Sequence, residues 1–507
     1  GFDPWTRHTP ARHTTPLTTM ATKMDGFELP VDAESKATVI RIYNFSRPHM
    51  RAFHFAWLSF FLAFFGWFAI PPMLTTIRVS LNLCANGNFE TLGENAINEC
   101  VCDGACRAKI AEQNGVAVAG TILMRFLVGA WAETYGPRFS QAFMLSVFCL
   151  PLALSGLVQD MEALTAVRFF IGGMGATFVI TQFWTSVMFS KNVVGTANAT
   201  SAGWGNLGGG AANAIMPLLL LAFETSIPQD TAWRLVPIVP AATLLIVAVC
   251  LYLFSDDVPQ GTYKALYASG ERQKQNGLAT FLEAAKDIRV WLLFLVYGGC
   301  FGTELVMNGQ LATYFKDYFN TSREVAGLTA SLFGLMNLFA RSLGGIVSDL
   351  ANVKFGHRGR HWVFFLVQFF EGVAMILFSL VPPTRFGLGV FVLICFSTCV
   401  QMAEGAEYAV VPYVGNLLKS LGPVSGIVGA GGNVGAVLWS FTIHRQLAGN
   451  GDLSLPFRVH GAAVIGTALL IPFCHFPQLG SMFFPQTDFS QDDTSGAAPT
   501  VEQGNKV

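Results

Sequence analysis

Two arginines stand inside apolar segments, and each opens the same short pattern. Arg125 begins Arg-Phe-Leu-Val-Gly-Ala-Trp-Ala-Glu, which ends at Glu133, and Arg341 begins Arg-Ser-Leu-Gly-Gly-Ile-Val-Ser-Asp, which ends at Asp349. The two stretches lie 216 residues apart, with Gly129 and Gly345 in the same register. A permanently charged guanidinium is among the most expensive groups to place in a bilayer. A matched pair therefore implies a repeated fold with two cations near its middle, an arrangement suited to carrying an anion. A planar guanidinium fork matches two oxygens of one anion, whereas lysine supplies only a point charge. Two unpaired guanidiniums repel in a low dielectric and hold the halves apart until one anion screens them. In the alternative, each arginine is balanced by a buried acid.

The scaffold that positions such a pair is legible in the composition. The chain is 52% hydrophobic and only 12% charged, with 45 Phe, about half the charge expected of a soluble protein. Stretches apolar and long enough to span a bilayer are read at 53–75, 114–133, 139–158, 163–188, 195–222, 234–254, 288–315, 324–347, 361–381, 386–412, 423–443 and 456–475. The expected fold is an all-α membrane protein with twelve transmembrane helices in two six-helix halves. The divisions are an N-terminal segment 1–50, a first half 51–254, a central loop 255–287, a second half 288–476 and a tail 477–507. Residues 1–50 are polar and basic, so the first span is expected to act as the insertion signal. Residues 1–19 differ in character from the rest, and the expectation is that translation starts at Met20 or Met24, or that the chain is a fragment or an extended read.

Arg41, Arg47, Arg51, Arg138, Lys191, Lys264, Arg272, Lys274, Lys286, Lys354, Arg358 and Arg360 fall on one side of a twelve-span topology. By the positive-inside rule that side is cytoplasmic, with both termini and the central loop. Arg78, Arg107, Lys109, Lys316, Arg323, Arg385 and Arg445 lie opposite and make the bias moderate. Cys84, Cys100, Cys102 and Cys106 cluster in the loop 78–113, which this topology places outside. Four cysteines in an oxidising loop suggest two disulfides with three possible pairings, and a metal site from the same thiols is the alternative. The other six cysteines lie in or beside spans and read as inert core. No metal-ligand set, nucleophile pair or phosphate loop points to an enzyme, and no cofactor or nucleic-acid partner is expected.

Glycine usage repeats as well. Ala202-Gly203-Trp204-Gly205-Asn206-Leu207-Gly208-Gly209-Gly210 lies in the fifth span, and Gly429-Ala430-Gly431-Gly432-Asn433-Val434-Gly435-Ala436 in the eleventh. Small residues let helices approach closely. A lone amide in apolar surroundings needs partners, so matched Asn206 and Asn433 suit a central polar site.

These tracts, with the arginine pair, resemble the nitrate/nitrite porter family of the major facilitator superfamily. Leu29-Pro30-Val31-Asp32, Pro48-His49-Met50-Arg51 and His475-Phe476-Pro477-Gln478-Leu479-Gly480-Ser481-Met482-Phe483 are similar to the high-affinity nitrate transporters of plants and algae. The resemblance runs from Phe27 to Phe484. It implies nitrate, with nitrite as a second substrate, imported by alternating access through one central site. It also implies a coupling cation (H⁺, or Na⁺ instead), a plasma-membrane bilayer and, as in some relatives, a small accessory membrane protein. By similarity to the family's pocket, Phe178 and the pair Tyr297 and Phe301 sandwich the planar anion between Arg125 and Arg341, with Asn206 and Asn433 as neutral donors. Two features depart from the family pattern: Glu133 stands where its loop motif usually has Asp, and the loop 78–113 is longer.

Glu304 follows Phe301 on the same stripe, and intramembrane acids serve proton relays. It is the proton-coupling candidate, with a fixed ion pair to Arg341 as the alternative. Glu404 and Glu407 are weaker candidates, and Arg168 reads as a gating or interfacial arginine. Glu133 and Asp349, near Arg138 and Arg358, are expected to form gating salt bridges. Two other functions stay open: a carrier of another small inorganic anion, and a non-transporting nitrate sensor.

Overall fold

The computed structural model describes residues 27–93, 96–190, 193–270, 277–414, 421–476 and 479–483. The expected translation start and most of the tail lie outside these residues. Among the described residues, eleven helices are long and apolar enough to cross a membrane. They are α1 (His49–Ser80), α3 (Pro137–Leu157), α4 (Met161–Met188), α5 (Thr196–Glu224), α6 (Gln229–Phe254), α7 (Ile288–Tyr318), α8 (Arg323–Asn352), α9 (His357–Ser379), α10 (Phe386–Tyr408), α11 (Val424–His444) and α12 (Leu455–Phe473). The twelfth, α2 (Gly104–Tyr135), carries Gln113, Asn114 and Arg125 along its middle.

Packing repeats between the two sets of six. In the first, α1 packs on α5 and α3 on α6; in the second, α7 packs on α11 and α9 on α12. The two sets meet where α2 packs on α11 and α5 on α8. Glycine makes the closest of these approaches. A Cβ at Gly208 of α5 would lie 2.0 Å from the Phe61 carbonyl oxygen of α1, and one at Gly435 of α11 would lie 2.4 Å from Gly298 of α7. Large apolar side chains such as Leu150, Leu157, Ile246, Leu253, Leu350 and Phe391 point outward and are exposed, as a surface bathed in lipid tails requires.

The helices run longer than their apolar cores. α1 continues to Ser80 and α2 begins at Gly104, so Arg78, Arg107 and Lys109 belong to helix ends and not to a loop. Asp103 caps α2 by accepting from the Cys106 amide at 2.9 Å. Two disulfides, Cys84–Cys100 within the shorter connection and Cys102–Cys106 from it to the first turn of α2, select one of the three pairings. The segment between α6 and α7 forms two short helices, Tyr263–Ser269 and Gly277–Ala285. The stretch before α1 folds back on the bundle: the Ala37 amide donates to the Met188 carbonyl and its carbonyl accepts from the Ser190 amide. Leu29 and Ala37 are buried there against α1 and α4.

Contacts between the two sets cluster at the disulfide-bearing end. Arg78 forks onto Asp317 at 2.7 and 2.9 Å, Arg323 forks onto Glu224 at 2.8 and 2.6 Å, and Arg445 meets Glu112 at 3.2 Å. At the opposite end, the ion pairs found among the described residues stay within one set, as in Arg138–Asp257 and Arg360–Asp349. The bundle is closed at the disulfide end.

Candidate functional site

Helix breaks build the centre of the bundle. α4 tightens into a 3-10 turn at Gly172–Ala176 and α8 at Met336–Leu338. Such turns leave carbonyls without an intrahelical partner and are tolerated at membrane depth when buried in protein. The first turn offers the Gly175 carbonyl to Arg125, and the second carries Asn337 just ahead of Arg341.

Arg125 is 6% exposed. Its NH1 donates to the Gly429 carbonyl of α11 at 2.8 Å and its NH2 to Gly175 at 3.3 Å. With its amide oxygen turned toward the guanidinium, Asn433 accepts from Arg125 Nε at 3.2 Å and NH1 at 2.7 Å. The guanidinium carbon lies 5.1 Å from the Phe178 ring centre and 5.6 Å from that of Phe301. Among the described residues, no carboxylate pairs with Arg125. Its charge is met by carbonyl dipoles and two aromatic faces.

Arg341 differs. Its NH1 donates to Glu404 of α10, and its NH2 donates to the Tyr297 hydroxyl at 3.1 Å. Tyr297 stacks on Phe301 with ring centres 5.2 Å apart and planes 14° from parallel, and meets Tyr408 edge-on at 5.2 Å. The Tyr297–Phe301 stack thus separates the two guanidiniums, Phe301 against Arg125 and Tyr297 against Arg341. The spacing of four residues on α7 puts both rings on one face.

Glu304, one turn beyond Phe301, accepts from Asn337 Nδ2 at 2.8 Å and from Asn206 Nδ2 at 3.4 Å. The acid bonded to Arg341 is therefore Glu404, because Glu304 is turned toward the two amides of α5 and α8. Of the two repeat asparagines, Asn206 serves a carboxylate and Asn433 presents its oxygen to an arginine. Both were expected as neutral donors to the anion; in this arrangement Asn206 is engaged by Glu304 and Asn433 by Arg125. The Asn206 and Asn337 amide oxygens are buried without a partner.

The expected gating pairs also rearrange. Asp349 pairs with Arg360 at 2.6 Å, while Arg358 donates from Nε to the Met482 carbonyl at 3.0 Å. Arg138 pairs with Asp257 at 3.7 Å. The Glu133 side chain lies outside the described residues. Arg168 is buried and donates to Asn114 Oδ1 at 3.2 Å, while Asn114 donates to the Gly309 carbonyl across the two sets at 2.8 Å. Sequence reading missed Asn337, Tyr408 and the Gly175 and Gly429 carbonyls. Asn337 carried a signal, a lone amide in an apolar span, but a carbonyl freed by a helix break leaves no mark on residue type.

These are the parts of a carrier: two matched six-helix sets, closed at one end, with buried cations where they meet. The description of the Major Facilitator Superfamily matches residues 56–440. High affinity nitrate transporter 2.5 of Arabidopsis thaliana is 38% identical over 469 residues, covering 92% of this chain and 88% of that protein. Nitrate transporter 2.2 of Chlamydomonas reinhardtii is 33% identical over 504 residues, covering 96% and 92%. Nitrate/nitrite transporter NrtP of Nostoc punctiforme is 24% identical over 470 residues, covering 79% and 87%. Among solved structures, the D-xylose-proton symporter matches with a TM-score of 0.56 at 16% identity, covering 83% of this chain and 97% of that one. The chain belongs to the Major Facilitator Superfamily and, within it, to the nitrate/nitrite porter family.

Proposed function

We propose that the protein imports nitrate, and nitrite as a second substrate, by alternating access around Arg125 and Arg341, driven by a coupled proton. The observation that carries this reading is Arg125, a buried guanidinium held, among the described residues, by carbonyls, the Asn433 amide and aromatic faces. A monoanion of three equivalent oxygens satisfies that fork, and its flat face suits the rings of Phe178 and Phe301. Arg341 supplies the second cation by letting go of Glu404, and the freed carboxylate takes a proton. Anion and proton binding are coupled in this way, because a buried carboxylate that has lost its cation is costly unless it takes up a proton. Nitrate transport in relatives 33–38% identical over most of the chain supports the substrate.

In this reading both termini, the central segment and the pairs Arg138–Asp257 and Arg360–Asp349 face the cytoplasm of a plasma membrane, and the disulfide end faces outside. The contacts at Arg78, Arg323 and Arg445 then form the outer gate, and the inner gate lies near Glu133, Asp349, Arg138 and Arg358. A small accessory membrane protein remains an expected partner. Voltage clamp of cells expressing the chain tests the function: nitrate should evoke an inward current that grows as external pH falls. A nitrate current indifferent to pH would remove the proton, and uptake competed by sulfate but not by nitrite or chlorate would remove the substrate.

A further inference from the structure

The segment that leads into α1 turns apolar side chains outward and is held there by polar contacts. Tyr43 is 97% exposed and Phe45 63%, with Ile42 beside them. Arg47 ties the segment to the end of α6, forking onto Asp256 at 3.0 and 2.8 Å. On α1, Trp57 Nε1 donates to His54 Nδ1 at 3.0 Å, which leaves the His54 Nε2 hydrogen for the Asn44 carbonyl, also at 3.0 Å. The Phe45 ring stacks on His54 with ring centres 4.3 Å apart, and the Phe45 carbonyl accepts from Arg51 Nε at 3.2 Å. A groove of about 650 Å³ runs between Tyr43 and Phe45 on one side and Trp57 of α1, Trp204 of α5 and Phe254 of α6 on the other. Its size falls within the range of ligand pockets, about 300–1,000 Å³.

We propose that this face binds an anionic phospholipid, with an acyl chain in the groove and the headgroup phosphate on Arg41 and Arg51. Arg51 lines the groove itself, and Arg41 lines the adjoining hollow with Ile42 and Tyr43. Among the described residues no carboxylate pairs with either arginine. The acids of this face are engaged, Asp256 by Arg47 and Glu28 by the Asn44 amide at 3.2 Å. The start of α1 and the end of α6 mark where the chain leaves the bilayer, so Tyr43 and Phe45 fall at headgroup depth, where aromatic rings are enriched. An apolar groove alone would accept any lipid tail. Two unpaired guanidiniums at its rim select a negative headgroup, and their forks suit phosphate oxygens. A helix of a partner membrane protein would fill the groove without need of that charge. In the orientation proposed above this end meets the cytoplasmic leaflet, which carries the anionic lipids. The binding itself depends neither on that orientation nor on the solute carried.

The test uses the purified full chain in micelles holding equal amounts of phosphatidylserine and phosphatidylcholine with the same acyl chains. Lipid retained after washing is counted by mass spectrometry of the intact complexes. Wild type is expected to retain phosphatidylserine over phosphatidylcholine at least about fivefold, the effect of one basic residue near an anionic headgroup. Arg41→Gln combined with Arg51→Gln should bring the two lipids within about twofold of each other. Arg385→Gln, an exposed arginine at the disulfide end, should leave the preference as in wild type. Tyr43→Ser combined with Phe45→Ser should lower retention of both lipids. Should the double arginine variant fail to fold, Arg41→Gln alone decides, because its side chain has no hydrogen bond or ion pair among the described residues. A lowered preference then supports the site, and an unchanged one overturns it. Equal retention of the two lipids by wild type overturns the proposal, as does a preference that Arg385→Gln removes equally. Retention of neither lipid also overturns it and leaves the groove to a partner helix.

Discussion

Arg341 and Glu404 form an ion pair with both side chains buried, 4% and 0% exposed, whereas Arg125 in the matching position of the first half has no carboxylate beside it among the described residues. The repeat is therefore broken in its electrostatics. One guanidinium is held ready by dipoles and rings, and the other is occupied by an acid that a proton can neutralise. Removing one partner of such a pair leaves an uncompensated charge and typically costs about 3–5 kcal/mol, while replacing both by apolar groups is often neutral. Glu404→Ala should lower the melting temperature in detergent sharply. The double variant Arg341→Met with Glu404→Leu should restore it without restoring transport. A double variant that transports would show the pair to be structural only.

The closed end makes its own prediction. Arg323 and Glu224 are 7% and 8% exposed and join α8 to α5, so this contact is screened far less than the exposed Arg445–Glu112 pair. Glu224→Gln should shift the protein toward opening at the disulfide end. A cysteine at Asn114, beneath that gate, should then react about tenfold faster with an impermeant thiol reagent added at that side, the effect of a little over 1 kcal/mol. Glu112→Gln should change the rate little.

How much of this was legible in the sequence depended on what residue type can report. The arginine repeat marked the centre because charge in an apolar span is costly, and both arginines lie there. Periodicity placed Tyr297 and Phe301 on one face. The glycine tracts identified α5 and α11 as close-packing helices, and Gly208 and Gly435 show why. What the sequence did not convey was direction and pairing. Asn206 and Asn433 look equivalent in one dimension, yet one faces Glu304 and the other Arg125. Glu304 was the acid whose alternative was an ion pair with Arg341, yet it accepts from Asn337, carried by the turn at Met336–Leu338, and Glu404 takes Arg341 instead. Arg360 took the place expected for Arg358 because helical rotation on α9, not nearness in sequence, selects the partner of Asp349.

Close packing at Gly435 should be intolerant of a methyl group. Its Cβ would stand 2.4 Å from Gly298 backbone, so α7 and α11 must separate, and overpacking of this kind costs about 1–3 kcal/mol. Gly435→Ala should reduce thermal stability by that order. It should also weaken nitrate binding, since Phe301 and Asn433 sit on the two displaced helices. Unchanged stability would mean that the helices part freely.

Asp257, just beyond α6, gives a pH dependence of stability. Burial raises its carboxyl above the usual range, against the opposing pull of Arg138. The folded chain then binds this proton more tightly than the unfolded chain, so ionisation costs stability above the folded value. That cost disappears as pH falls toward the unfolded value. Relative to wild type, Asp257→Asn should be favoured near neutral pH, with the difference closing as pH falls toward the ordinary aspartate value of about 4. Melting curves across that range check it, and a gap that widens as pH falls would contradict the assignment.

The central claim is that Arg125 seats the anion, and nitrate affinity measured directly on the purified chain tests it. Titration calorimetry should give an Arg125→Lys variant whose Kd for nitrate is raised about ten- to a hundredfold, because lysine keeps the charge but loses the planar fork. Arg125→Gln should bind no nitrate, while a folded, monodisperse protein in both cases shows that the site alone was altered. Nitrate binding by Arg125→Gln with wild-type affinity would contradict the account and place the anion elsewhere.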